Sequence, residues 1–315
     1  MELFIAIVYL LIGFAILIYG GDYLVQSAVS IAARLEVSPA IIGLTIIAAG
    51  TSAPELMTSL LASQKGSPDI ALGNVVGSNI FNILAILGVS SMLSKNKVPK
   101  SLLRFEIPML ILLTALFVYS LLDNQIQAWE GFVLIFFFVG FTYYAVQRAR
   151  KRPQTNDNPT EELEKLKNWY HDLGYLIAGI AGLVGGAQLA LIGGADIGRI
   201  AGLSERIIGI TILSVGTGLP ELATSAVASL KGQDDIAISN VIGSNIMNTL
   251  LVVGATSAIR TIPVSNEILN HDVIWMTFAT VSLLPILILN KRAIGRRLGA
   301  AMTLSYIAYI SSLIF

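Results

Sequence analysis

Cysteine is absent from the 315 residues, which excludes a disulfide, a thiolate metal site and an iron–sulfur cluster. Histidine is scarce: His171 and His271 both fall at the ends of apolar runs, leaving no intramembrane imidazole for a zinc site or a proton relay. Charge is scarce too, at 13% of residues against 55% hydrophobic ones and a mean hydropathy of +0.76. Soluble domains carry about 25% charged residues, so this composition places the chain in a membrane. No Walker-type glycine loop is present to cradle a nucleotide, which argues against ATP drive. A formal net charge of zero carries no signal for nucleic acid, and neither a nucleic-acid partner nor an obligate protein partner is expected.

What remains is long apolar runs. Ten are read near 3–31, 39–63, 70–92, 103–121, 128–146, 168–198, 204–229, 236–258, 272–290 and 298–314, each about the 20 residues that a helix needs to cross the hydrocarbon. Stretches such as "PMLILLTALFVYSLL" do not alternate, which excludes a transmembrane barrel. Met1 and Glu2 supply no basic n-region and the first run exceeds signal-peptide length, so it is expected to stay as a span. With the N-terminus outside, 16 of the 20 Lys and Arg fall in the loops after runs 1, 3, 5, 7 and 9. That bias is the positive-inside pattern. It predicts a multi-pass protein of the cell inner (plasma) membrane with both termini extracytoplasmic. Residues 148–167 then form a polar cytoplasmic linker between a first five-helix unit, 1–147, and a second, 168–315.

The two units repeat one another. Residues 43–88 overlay residues 209–254 without a gap at an offset of 166, with 26 identities in 46 positions. A unit of five crossings enters its second copy from the opposite side, so the copies form an inverted pair, the architecture of secondary transporters with one midplane site. The fold class expected is therefore all-α integral membrane, with ten helices in two inverted repeats.

The repeated stretches gather polar residues where packing alone would favour apolar ones: Thr51, Ser52, Glu55, Asn74, Ser78, Asn79 and Asn82 in one copy, Thr217, Glu221, Asn240, Ser244, Asn245 and Asn248 in the other. A carboxylate at the centre of a membrane helix costs about 2.5–3.5 kcal/mol. No basic residue lies at comparable depth in these runs, which leaves a bound cation, a proton or water to offset the cost. Carboxylate, amide and hydroxyl oxygens suit calcium, sodium or magnesium over zinc or copper. Gly50 and Pro54 flank Glu55, and Gly216 and Pro220 flank Glu221, so both helices are expected to break there and bare carbonyls such as those of Ala48 and Ser214. Two carboxylates neutralise one calcium ion or two sodium ions. Asp69 and Asp235 read as helix caps, while Asn74, Asn79, Asn240 and Asn245 suit either ligation or interhelix hydrogen bonds.

"GTSAPE" with "GNVVGSNIFN", and "GTGLPE" with "SNVIGSNIMN", resemble the two alpha repeats of the calcium/cation antiporter superfamily, which includes the sodium/calcium exchangers. The resemblance implies Glu55 and Glu221 as central ligands, with backbone carbonyls from Thr51, Thr217, Ala48 and Ser214. It implies hydroxyls of Ser52, Ser78 and Ser244 at flanking sodium sites and Asn82 and Asn248 completing the midplane. Two positions depart from it: Gly218 stands where the other copy has Ser52, and Asn248 stands where some sodium-coupled members have Asp. The function implied is calcium-for-sodium antiport by alternating access, with calcium and sodium as cargo, the lipid bilayer as surroundings, and no cofactor. A proton-coupled calcium exchanger is the alternative, and a passive cation channel a more distant one. The chain lacks the paired aspartates and the histidine ligands of intramembrane proteases, so no enzymatic activity is expected. A serine restored at position 218 is expected to strengthen sodium dependence.

Overall fold

The computed structural model describes residues 2–151, 165–202 and 214–314. Nearly all of them are helical, as a backbone in hydrocarbon must satisfy its own N–H and C=O groups. The helices are α1 (Glu2–Leu35), α2 (Pro39–Thr51), α3 (Ala53–Gln64), α4 (Pro68–Leu93), α5 (Leu102–Ser120), α6 (Ala128–Lys151), α7 (Trp169–Ile200), α8 (Ser214–Thr217), α9 (Leu219–Leu230), α10 (Asp234–Ile259), α11 (Ile268–Leu289) and α12 (Arg296–Ile314). Among the described residues, seven are long and apolar enough to cross a membrane, and α2 with α3, bent by 42° at their break, make an eighth. The ten runs read from the sequence are not all counted. The seventh begins within 203–213, outside the described residues, and α12 opens with Arg296 and Arg297 and carries several hydroxyl side chains, which lower its hydropathy. The linker residues 152–164 also lie outside the described residues.

Proline stands in the first two positions of α2, α3, α4 and α9, where its missing N–H costs nothing. Both α3 and α9 end on a glycine with positive φ, Gly66 at 75° and Gly232 at 71°. There the amides of Ser67 and Gln233 turn back to the carbonyls of Ala62 and Ala228 at 2.9 and 2.8 Å, a Schellman-like stop. Asp69 and Asp235 lie in the first turns of α4 and α10 and do not cap them: the cap positions are Ser67 and Gln233, and neither makes a side-chain cap bond.

Burial separates centre from rim. In their apolar windows α4 is 78% and α10 94% buried, against 11% for α6 and 22% for α1. The polar α4 and α10 are therefore wrapped by the others, while α6 exposes Trp129, Phe132, Phe136 and Phe137 on the outside. Contacts between the halves come in matched pairs 166 residues apart. On the long antiparallel pair α1 and α7, a Cβ at Gly13 would lie 2.5 Å from the Ala190 amide nitrogen and 2.8 Å from the Gly186 carbonyl. At its counterpart Gly179 a Cβ would meet Leu24 and Gly20 at 2.8 and 3.0 Å. Small residues let these two backbones touch. Two short ribbons obey the same rule: β1 (Asn96–Lys97) pairs antiparallel with β4 (Ala293–Ile294), and β2 (Gln125–Ile126) with β3 (Ile262–Pro263), where β3 lies at the repeat offset from β1.

Candidate functional site

Each carboxylate sits one step past a break. Ser52 (φ −83°, ψ 7°) separates α2 from α3, and Gly218 (φ −85°, ψ 1°) separates α8 from α9. Pro54 and Pro220 have no N–H to return to the carbonyls of Gly50 and Gly216, four residues back. Glu55 and Glu221 then fall in the first turns of α3 and α9, each 1% exposed. Helix N-termini favour negative charge and C-termini favour cations, so the starts of α3 and α9 favour the charged form of the two glutamates and the end of α2 favours a cation. Among the described residues no Lys or Arg pairs with either glutamate.

The halves cross at this point. The Ser52 hydroxyl donates to Glu221 Oε1 at 2.9 Å, so a residue of the first break touches the carboxylate of the second. Thr51 Oγ1 reaches Asn240 Oδ1 at 3.4 Å, and its counterpart Thr217 Oγ1 reaches Asn74 Oδ1 at 3.5 Å. Asn74 in turn donates to the Glu55 carbonyl at 3.2 Å and to Ser59 Oγ at 2.9 Å, and Asn240 to Ser225 Oγ at 3.1 Å. Ser59 and Ser225 pass the chain on to the carbonyls of Ala71 and Ala237 at 3.2 and 3.3 Å. These serines are identical between the copies and were readable as such, but only their contacts show that they clamp α3 to α4 and α9 to α10.

A second layer follows one turn along α4 and α10. Asn82 donates to Asn245 Oδ1 at 2.9 Å, Asn248 to Asn79 Oδ1 at 3.2 Å, and Asn245 to the Asn79 carbonyl at 3.2 Å. Asn74, Asn79, Asn240 and Asn245 are thus interhelix hydrogen-bonders. Because Asn248 spends its N–H on Asn79, its Oδ1 is turned away, buried and without a partner. The helices widen to a π-turn here, at Phe81–Ile86 and Asn248–Val252, a local irregularity frequent at functional sites.

Among the described residues, four of the buried side-chain oxygens without a hydrogen-bond partner belong to the candidate ligands: Glu55 Oε2, Glu221 Oε2, Asn248 Oδ1 and Ser244 Oγ. Each unsatisfied buried group costs about 1–3 kcal/mol, more when charged, a debt that a dehydrated hard cation would cancel. Ser78 is buried nearby on α4. The Ala48 carbonyl is not bare, contrary to expectation: it accepts the Ser52 amide at 2.9 Å, because α2 keeps its helical bonding up to the break. Of Ser214 only the backbone is described, as the first residue of α8.

The family model described as "Sodium/calcium exchanger protein" matches residues 5–147 and again 171–315. The putative antiporter CaxA of Alkalimonas amylolytica is 38% identical over 311 residues, 97% of each chain. The sodium/calcium exchanger MaX1 of Methanosarcina acetivorans is 30% identical over 342 residues, again 97% of each. A solved structure of the sodium-calcium exchanger NCX_Mj, soaked with sodium and strontium, superposes with a TM-score of 0.83 at 31% identity, covering 99% of both chains.

Proposed function

The chain belongs to the sodium/calcium exchanger protein family, and from that premise we propose that it is a secondary antiporter exchanging calcium for sodium at the Glu55–Glu221 site. The observation that carries this reading is the pair of buried glutamates at symmetry-matched helix breaks, with unpartnered oxygens and no basic residue beside them among the described residues. Two negative charges accept one calcium or two sodium ions but not both sets together. Competition for the site is then the coupling. Around it Asn248, Asn82, Ser52, Ser78, Ser244 and the Thr51 and Thr217 turns complete an all-oxygen shell.

Alternating access follows from the symmetry. Ten crossings in two inverted five-helix units give two nearly degenerate states, facing opposite sides. The α1–α7 pair, meeting backbone to backbone at its glycines, is the element free to slide past the core of α4 and α10. One of its ends, where the last turn of α1 meets the first turn of α7, carries the ion pair of Arg34 with Asp172. By the bias of basic residues that end is cytoplasmic, in the inner membrane, with both termini outside. No covalent step and no cofactor enter the cycle.

The test is uptake of radiolabelled calcium into proteoliposomes under an outward sodium gradient, an outward proton gradient, or neither. Sodium-driven uptake is expected. Uptake driven by protons alone would assign the protein to the proton-coupled alternative, which the missing hydroxyl at Gly218 favours, and equal flux without a gradient would make it a channel.

A further inference from the structure

The two carboxylates are not equivalent. Glu221 receives the hydroxyl of Ser52 from the opposite repeat at 2.9 Å. By the offset of 166 the matching hydroxyl for Glu55 belongs at position 218, where the residue is glycine. The end of α8 does lie against the turn of Glu55, since Thr217 reaches Asn74, which donates to the Glu55 carbonyl. The place of the absent side chain is filled: a Cβ on Gly218 would stand 2.5 Å from Cδ1 and 2.6 Å from Cε1 of Phe81. That ring is 4% exposed and packs on Tyr306 with centroids 5.2 Å apart, so it is wedged from behind. Its counterpart in the other repeat is the flexible Met247. As glycine, position 218 gives Glu55 no hydroxyl to match the one that Ser52 gives Glu221, and Glu55 Oε2, like that of Glu221, has no hydrogen-bond partner.

We propose that Phe81, seated on Gly218, is a specificity-determining residue that closes one of the two symmetry-related hydroxyl-lined subsites for a monovalent cation. The remaining site holds either one divalent cation or two monovalent ones against two carboxylates, so the exchange carries no net charge. The inference rests on the antiporter reading. It also corrects the expectation for a serine at 218: alone, its Cβ would collide with the ring, so restoring the subsite takes Gly218→Ser together with Phe81→Met.

Two readouts on the whole protein test it. In detergent, radiolabelled calcium bound at equilibrium is displaced by sodium. Two carboxylates balance two sodium ions, which sets the expected displacement slope at about two for the native chain, and a reopened hydroxyl subsite admits a third, uncompensated sodium, which raises it to about three for the double variant. In proteoliposomes, sodium-driven calcium uptake is compared at opposite potassium–valinomycin potentials. A cycle carrying one net charge would shift its equilibrium tenfold per about 59 mV, whereas the native protein is expected to be indifferent to potential and the double variant sensitive to it. Phe81→Met alone, which adds no hydroxyl, keeps the native slope. A native slope of about three, or native flux that follows potential, overturns the inference while leaving antiport intact, and does so even where the double variant fails to fold. A folded double variant with the native slope also overturns it. Absence of calcium binding and flux in the native protein overturns both the inference and the antiporter reading.

Discussion

Replacing Glu221 by glutamine tests the site most directly, because the amide keeps the shape and the acceptor for Ser52 while removing one charge. A calcium ion held by Glu55 alone would leave one positive charge uncompensated among residues that are 0–4% exposed. A unit charge at membrane depth costs about 2.5–3.5 kcal/mol, which at 1.36 kcal/mol per decade is a loss of about two to two and a half decades in calcium affinity. The empty protein should respond in the opposite sense. With one enclosed carboxyl fewer to leave unpaired, its melting temperature in calcium-free detergent should rise, and the further rise on adding calcium should disappear. A merely structural glutamate would behave otherwise, its loss lowering the melting temperature and leaving calcium affinity near native. Calcium-dependent melting and radiolabelled binding on the same preparation decide between the two. Affinity within threefold of native, or a lowered melting temperature in the empty protein, would refute the reasoning.

Asn79→Ala should weaken calcium binding about tenfold without touching a carboxylate, because it strips Asn248 of the acceptor that aims its Oδ1, a loss of about 1–3 kcal/mol of satisfied polar contact; equilibrium binding measures it. Gly13→Leu should leave calcium affinity near native while stopping transport, because its side chain would enter the backbone of Gly186 and Ala190 and fix the sliding pair; normal flux in proteoliposomes would remove α1–α7 from the mechanism. Asp172→Asn should destabilise the protein by about 3 kcal/mol, the lower end for breaking a buried pair because Arg34 is 20% exposed. Lys231→Ala, by contrast, should cost under about 1 kcal/mol because both members of its pair with Asp22 are solvated. Melting temperatures of the two variants in the same detergent test the contrast.

Much of the candidate site was readable from the chain because the internal repeat writes most candidate residues twice. Glu55 with Glu221, Pro54 with Pro220 and Asn82 with Asn248 emerge from a gapless overlay, and proline chemistry places the helix breaks beside them. Other features were not readable, for reasons of reach. An overlay shows which residues are equivalent but not which ones meet, so the hydrogen bonds that Asn74, Asn79, Asn240 and Asn245 make to neighbouring helices were visible only in the structure. The Ala48 carbonyl was misread for a related reason: a proline frees the acceptor four residues before it, and Ala48 lies six before Pro54, still inside the intact helix.

By itself, then, the sequence determined the solvent, the repeat, the positions of the breaks and the oxygen-only chemistry of the candidate site, because composition, offset and backbone valence are local or periodic properties. The tertiary structure alone decided that Ser52 serves the other repeat's glutamate and that a phenylalanine fills the hollow at Gly218. Those are contacts between chain segments more than a hundred residues apart, and only packing brings such segments within reach.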